Sequence, residues 1–207
     1  MYSSQIYDPL GLLSPVTIRS KILIQQLWEE NFEWDETVTE NLSEKWTQLA
    51  KDIENATEFI FQRYYFSNTS TNTSPPTLHI FTDASLKAYG AVAYLSNGSE
   101  TALVMAETRV VALKDLTLPH LERMGALTAE RLADHLLSSL DIQQVVFWWD
   151  SCIVLHWLKT TKTLKRFIAN LVKEIQNLTD SYEWRYCPTE INPADLLTRG
   201  ITFEQFV

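Results

Sequence analysis

Apolar positions follow two regimes along the chain. In residues 1–66 they recur every three or four positions. Ile18, Ile22 and the Leu23–Leu27 pair run at helical spacing towards Trp28, and Leu42, Trp46, Leu49 and Ile53 do the same on an otherwise polar, acidic stretch. Ser14-Pro15 predicts the start of the first helix, with Ser14 as N-cap and Pro15 at the first helical position. The second helix is expected after Asp35. Two amphipathic helices enclose only a thin core, so this piece is expected to pack on something larger.

The run from Ser67 to Pro76 has no side chain that would enter a core and ends in two prolines, which predicts a linker over 67–76. Beyond it the period shortens. Leu78 to Thr82, Tyr89 to Leu95 and Ala102 to Met105 read as three strands. Pro119 to about Leu137 reads as a long helix, and Val145 to Trp149 is a wholly apolar run of the kind buried inside a sheet. Helices are expected from about Ser151 and from about Leu164, then a strand from Tyr182 to Tyr186 and a last helix opened by Asn192-Pro193. The order β-β-β-α-β-α-β-α predicts an α/β domain over 77–207, a mixed sheet with helices on its faces.

Composition narrows the picture. With 207 residues and 45% hydrophobic content, one medium domain plus a smaller piece is easily supplied with a core. No apolar run reaches the roughly 18–20 residues of a membrane helix. The start of the chain lacks the basic and apolar regions of a signal peptide. Cys152 and Cys187 stand in no zinc-like spacing, and a reducing, intracellular, cytoplasmic setting is expected. The net charge of −9 argues against a sequence-blind DNA coat. The acidity is concentrated early, residues 1–66 carrying five basic and eleven acidic side chains.

Four acids stand at the ends of predicted elements. Asp83 closes the first strand, Asp150 follows the strand Val145–Trp149, Glu122 lies in the first turns of the long helix, and Asp195 lies in the first turn of the last. Strand ends and helix starts converge at one edge of a sheet with adjacent parallel strands. Four converging carboxylates repel one another unless cations intervene, and Mg2+ or Mn2+ prefers such all-oxygen sites. Two ions about 3.5–4 Å apart activate a water and stabilise the leaving oxygen of a phosphodiester. Each acid also has an ordinary reading. Asp150 would cap the helix from Ser151, Asp195 would complete a capping box with Asn192, and Glu122 would favour the positive end of its helix. Asp83 is the hardest to explain in that way, because Asp is poor in strands.

The residues around these acids resemble a known family. Ile80-Phe81-Thr82-Asp83-Ala84-Ser85 followed by Tyr89 to Tyr94 resembles the opening hairpin of ribonuclease H domains. Leu118-Pro119-His120-Leu121-Glu122-Arg123 resembles a helix start of BEL/Pao-type retrotransposon polyproteins, and Phe147-Trp148-Trp149-Asp150-Ser151 resembles their third acidic strand. The close, Trp184 to Gly200 with Asn192-Pro193-Ala194-Asp195 at its centre, and the upstream run Ile6 to Pro15 are similar to segments of the same polyproteins.

This resemblance implies a ribonuclease H-like, mixed five-stranded sheet flanked by helices and preceded by a small helical segment. It implies hydrolysis of the RNA strand of RNA–DNA hybrids, with Asp83, Glu122, Asp150 and Asp195 as catalytic ligands of two Mg2+ or Mn2+ ions. Residues 1–66 would then be the thumb or connection end of a reverse transcriptase, whose palm and fingers are the expected partner, and the setting would extend to retrotransposon particles. No polymerase activity is expected, since the palm is not in this chain. One departure is the loop Cys187-Pro188-Thr189-Glu190, where many ribonucleases H carry a histidine. Lys159, Lys162, Lys165, Arg166 and Lys173 fall in a stretch without acids and suit a phosphate backbone, or else form a solvated helix face. Ser85 and Ser151, beside two of the acids, are further candidates for backbone contact. The four histidines are expected to pack or face solvent rather than bind metal. The competing reading is an inactive structural or nucleic-acid-binding remnant, or a connection domain.

Overall fold

The computed structural model describes residues 6–67, 75–113, 116–151, 169, 172–173 and 182–207. Two helices, α1 (Ser14–Glu29) and α2 (Glu40–Thr57), precede a five-stranded sheet. Its strands are β1 (Thr77–Ala84), β2 (Ala88–Ser96), β3 (Thr101–Val110), β4 (Gln144–Trp149) and β5 (Glu183–Tyr186), in the order β3-β2-β1-β4-β5. The first three form an antiparallel meander, while β4 runs parallel to both β1 and β5. This is the mixed, helix-flanked sheet that the sequence predicts. The helix expected from Ser151 and most of the helix expected from Leu164, of which 169, 172 and 173 are described and helical, lie outside the described residues, as does most of the 67–76 linker; the last strand, expected from Tyr182, begins at Glu183. Among the described residues, no helix is long and apolar enough to cross a membrane.

Alternation along the strands divides the sheet into two faces. Leu78, Ile80, Ala91, Ala93, Val104, Val145 and Phe147 point to one side. There they meet α3 (Leu118–Ser139) through Ala129, Leu132, Ala133 and Leu136. The small residues of α3 let it lie close. A Cβ on Gly125 would come within 2.9 Å of Thr82 Oγ1 and 3.3 Å of the Asp83 carbonyl oxygen. Glu122, one turn earlier, is thereby held beside the end of β1. On the other face Val92, Ala106, Phe81, Tyr94 and Leu103 pack with Ala194 and Leu197, at the short helix α4 (Asp195–Arg199).

The helical segment is joined to the sheet by backbone and side-chain bonds. Ala106 N–H of β3 donates to the Leu10 carbonyl at 2.8 Å, and Ile201 N–H donates to the Pro15 carbonyl at 2.9 Å. Arg19 of α1 pairs with Asp52 of α2 and also donates to the Ile201 carbonyl at 3.3 Å. The last helix, α5 (Phe203–Phe206), turns Phe203 and Phe206 back onto Leu13, Val16, Ala56 and Phe61. Within the segment Leu42, Leu49 and Ile53 are buried with Leu23, as their spacing predicts.

The helix starts differ from the expectation. The N-cap of α1 is Leu13, not Ser14, and the cap has no side-chain bond of its own. Asp8 serves instead, its carboxylate accepting the Leu12 and Leu13 N–H groups at 2.9 and 2.8 Å. Asp8 can reach them because Gly11 takes a positive φ of 66° and folds the chain back. The strand β3 is also longer than the predicted 102–105. Glu107, Thr108 and Arg109 continue the alternation with polar side chains, and their Cα partners on β2 are Ala91, Gly90 and Tyr89.

Candidate metal centre

Parallel pairing of β1 with β4 fixes the first two acids. Thr82 is in register with Trp149, so Asp83 and Asp150, the next residues, leave neighbouring strands at the same edge. Glu122 reaches that edge from the second turn of α3, and Asp195 from the first residue of α4. All four line one cleft of about 260 Å³, together with Ser85, Ser151, Thr189, Thr198 and Arg199.

Each carboxylate has a protein partner. Thr198 Oγ1 donates to Asp83 Oδ2. Trp149 Nε1 donates to Glu122 Oε2 at 2.8 Å, and Thr189 Oγ1 donates to Asp150 Oδ2 at 3.0 Å. Arg199 Nε pairs with Asp195 Oδ1 at 2.7 Å, one helical turn on. These four partners fall within motifs the sequence shows, but none is among its candidate site residues. Thr198 and Arg199 follow Asp195 at i+3 and i+4, the one signal by which they are legible. Thr189 occupies the loop in which the sequence lacks a histidine.

Burial and mutual repulsion load the cleft with unfavourable charge. Desolvation raises the Asp83 carboxyl above its ordinary value, with Asp150 and Asp195 adding repulsion, while the Thr198 hydroxyl opposes the rise. Glu122 is pushed up to about 7, chiefly by burial, against the Trp149 bond and with help from Asp150 and Asp83. Asp195 is raised by burial and by Asp150, the Arg199 charge opposing. An all-oxygen donor set under this repulsion has the chemistry of a hard divalent cation site. Among the described residues, however, no three His, Cys, Asp or Glu side chains stand close enough to hold one ion together. The donor types fit such an ion.

Two ordinary readings are corrected. Asn192 caps no helix beginning at Pro193. Its Nδ2 donates to the Thr82 carbonyl at 3.1 Å and its Oδ1 accepts from Ala194 N–H at 3.1 Å, so it ties the loop before α4 to the strand that carries Asp83. Glu122 lies beyond the first turn of α3, in which no acid stands, so the helix end does not account for it. The capping role of Asp150 concerns a helix outside the described residues. Ser85 lines the cleft but spends its hydroxyl on the β1–β2 turn, accepting from the Lys87 and Ala88 N–H groups. Ser151 also lines the cleft. Lys159, Lys162, Lys165 and Arg166 lie outside the described residues, and Lys173 is exposed. His79 packs in the sheet, its Nδ1 accepting from Trp148 Nε1 at 3.1 Å.

Residues 2–151 match the family described as Pao retrotransposon-like RNaseH-like domain. No curated protein matches the chain. Among solved structures, the N-terminal RNase H domain of Rv2228c from Mycobacterium tuberculosis aligns at 16% identity and TM-score 0.47, over 59% of this chain and 91% of that one. LC11-RNase H1 in complex with an RNA/DNA hybrid aligns at 11% identity and TM-score 0.47, over 64% and 99%. A foamy viral protease-reverse transcriptase in complex with double-stranded DNA aligns at 16% identity and TM-score 0.47, over 81% and 33%.

Proposed function

Because the chain belongs to the Pao retrotransposon-like RNaseH-like domain family, we propose that it hydrolyses the RNA strand of RNA–DNA hybrids as part of a retrotransposon-derived polyprotein. The observation that carries this reading is the meeting of Asp83, Glu122, Asp150 and Asp195 around one cleft, at the carboxyl ends of two adjacent parallel strands.

The four acids are the ligands for two Mg2+ or Mn2+ ions in this reading. Such ions, when bound, lower the pKa of a water and take up charge on the leaving oxygen. The chain supplies the rest. Thr198 and Thr189 orient the carboxylates of Asp83 and Asp150, and Trp149 orients that of Glu122. In the absence of cations burial raises the Glu122 carboxyl to about 7, and bound divalent ions would hold it ionised as a ligand. Ser85 and Ser151 at the cleft, with Lys159, Lys162, Lys165 and Arg166, are assigned to the sugar–phosphate backbone. The 2′-hydroxyls would mark the strand to be cut. The palm and fingers of the parent reverse transcriptase are the proposed protein partner.

A second reading, an inactive remnant that only binds nucleic acid, draws support from the partners that already hold each carboxylate. Incubation with a hybrid labelled on its RNA strand, in Mg2+ and then Mn2+, separates the two. Metal-dependent cutting of the RNA that disappears in Asp83→Asn is expected. Hybrid binding without cleavage, and indifferent to metal, would establish the remnant instead.

A further inference from the structure

Beside the acidic cleft lies a second, smaller groove of opposite character. It has a volume of about 190 Å³ and is lined by Arg19, Lys45, Lys87 and Arg199 among apolar side chains of α1 and α2. Arg19 comes from α1, Lys45 from α2, Lys87 from the β1–β2 turn and Arg199 from the end of α4. Four elements far apart in sequence therefore bring cations to one place. The helical segment contributes two of them although it is strongly acidic as a whole.

Neighbouring acids neutralise only part of this charge. Arg19 is paired with the buried Asp52, and Arg199 with Asp195. Lys45 and Lys87 have no ion-pair partner among the described residues. The groove is also continuous with the cleft in two ways. Arg199 lines both. Ser85, at the cleft, and Lys87, in the groove, are two residues apart in one tight turn built on the Ser85 hydroxyl.

We infer that this groove binds the phosphodiester backbone of the nucleic acid whose scissile phosphate lies in the acidic cleft, with Lys45 and Lys87 as its phosphate contacts. The inference rests on the nuclease reading for the identity of the ligand. It gives α1 and α2 a direct part in substrate binding. A cationic track also answers a difficulty of the cleft, which repels a polyanion until cations occupy it. Lysines at such a site act as point charges, so the contact carries affinity and salt dependence without sequence preference.

The test uses the full chain and a fluorescein-labelled RNA–DNA hybrid of about 20 base pairs, with anisotropy read in EDTA over a salt series. Lys45→Ala/Lys87→Ala should bind about tenfold more weakly than the parent, and the slope of log K against log salt should shrink by about two. Lys21→Ala/Lys51→Ala removes the same charge from α1 and α2, outside the groove, and should leave both nearly unchanged. Unchanged binding in the groove variant, an equal loss in the control pair, or a parent that binds no hybrid overturns the inference. Cleavage in Mg2+ by the same parent preparation keeps the two claims apart. A cutting parent with a silent groove variant removes the groove and leaves the nuclease. A parent that binds through the groove without cutting removes the nuclease and leaves the groove. Circular dichroism melting of both double variants guards against misfolding.

Discussion

The indole N–H of Trp149 donates to the Glu122 carboxylate across 2.8 Å, linking the last residue of β4 to α3. Trp149 is fully buried and stands immediately before Asp150. One bond thus sets the position of one acid relative to the strand that carries another.

Trp149→Phe keeps an aromatic ring but removes the donor and some buried volume. It leaves a mostly buried carboxyl without its bond, at a cost of about 1–2 kcal/mol in denaturant unfolding near pH 7. Mg2+ or Mn2+ affinity, read by calorimetry, should fall with it, because Glu122 is then free to turn away from the cleft.

The Glu122 carboxyl is raised from its ordinary 4.5 to about 7. Below pH 4.5 the folded and unfolded chains both hold the proton, and the burial carries no ionisation penalty. Between 4.5 and about 7 the unfolded chain releases it while the folded chain keeps it, so stability falls as pH rises through this window. Glu122→Gln removes the dependence and keeps an acceptor for Trp149. In EDTA, thermal melting should place the variant above the parent at pH 8, by an amount on the order of several degrees, with the difference closing towards pH 4.5. Added Mg2+ should stabilise the parent at pH 8 and do far less for the variant.

Asp52 is buried on α2 and receives Arg19 of α1, which also reaches the Ile201 carbonyl. Asp52→Ala strands the guanidinium between two helices and the C-terminal turn. A loss of about 2–4 kcal/mol is expected in urea unfolding. Arg19→Met/Asp52→Ala together should cost less than Asp52→Ala alone.

Gly11 and Gly98 both take positive φ, 66° and 89°, but in different surroundings. A Cβ on Gly11 would lie 1.9 Å from the Ala106 carbonyl oxygen, whereas one on Gly98 meets nothing within 4 Å. Gly98→Ala should cost only about 1 kcal/mol of backbone strain. Gly11→Ala should cost clearly more and expose the Ala106 amide, seen as faster hydrogen exchange at that residue.

Much of the fold and of the acidic site is legible in the order of the amino acids. The acids can be found because each stands where an element ends, and element ends follow from the switch between a period of two and one of 3.6. The apolar run from Val145 to Trp149 marks an interior strand by composition alone. The partners of the acids are hidden for a physical reason: Thr189 and Asp150 are 39 positions apart, Thr198 and Asp83 115. Only the parallel pairing of β1 with β4 and the docking of α4 create those contacts. Asn192 reads as a helix cap because its neighbours fit one, yet its amide serves the Thr82 carbonyl in a distant strand. Asp8 does not read as a cap, because its reach depends on the left-handed turn at Gly11.

The bond from Ala106 to the Leu10 carbonyl carries one further consequence. The strand β3 is an outer strand of the sheet, and an open outer strand is a template on which a second chain can add itself. The segment ahead of α1 lies over part of that template and occupies it. At the opposite margin β5 is only four residues long and presents Glu183 and Arg185. The Leu10 carbonyl therefore takes up one donor of the β3 edge, which an added strand could otherwise use.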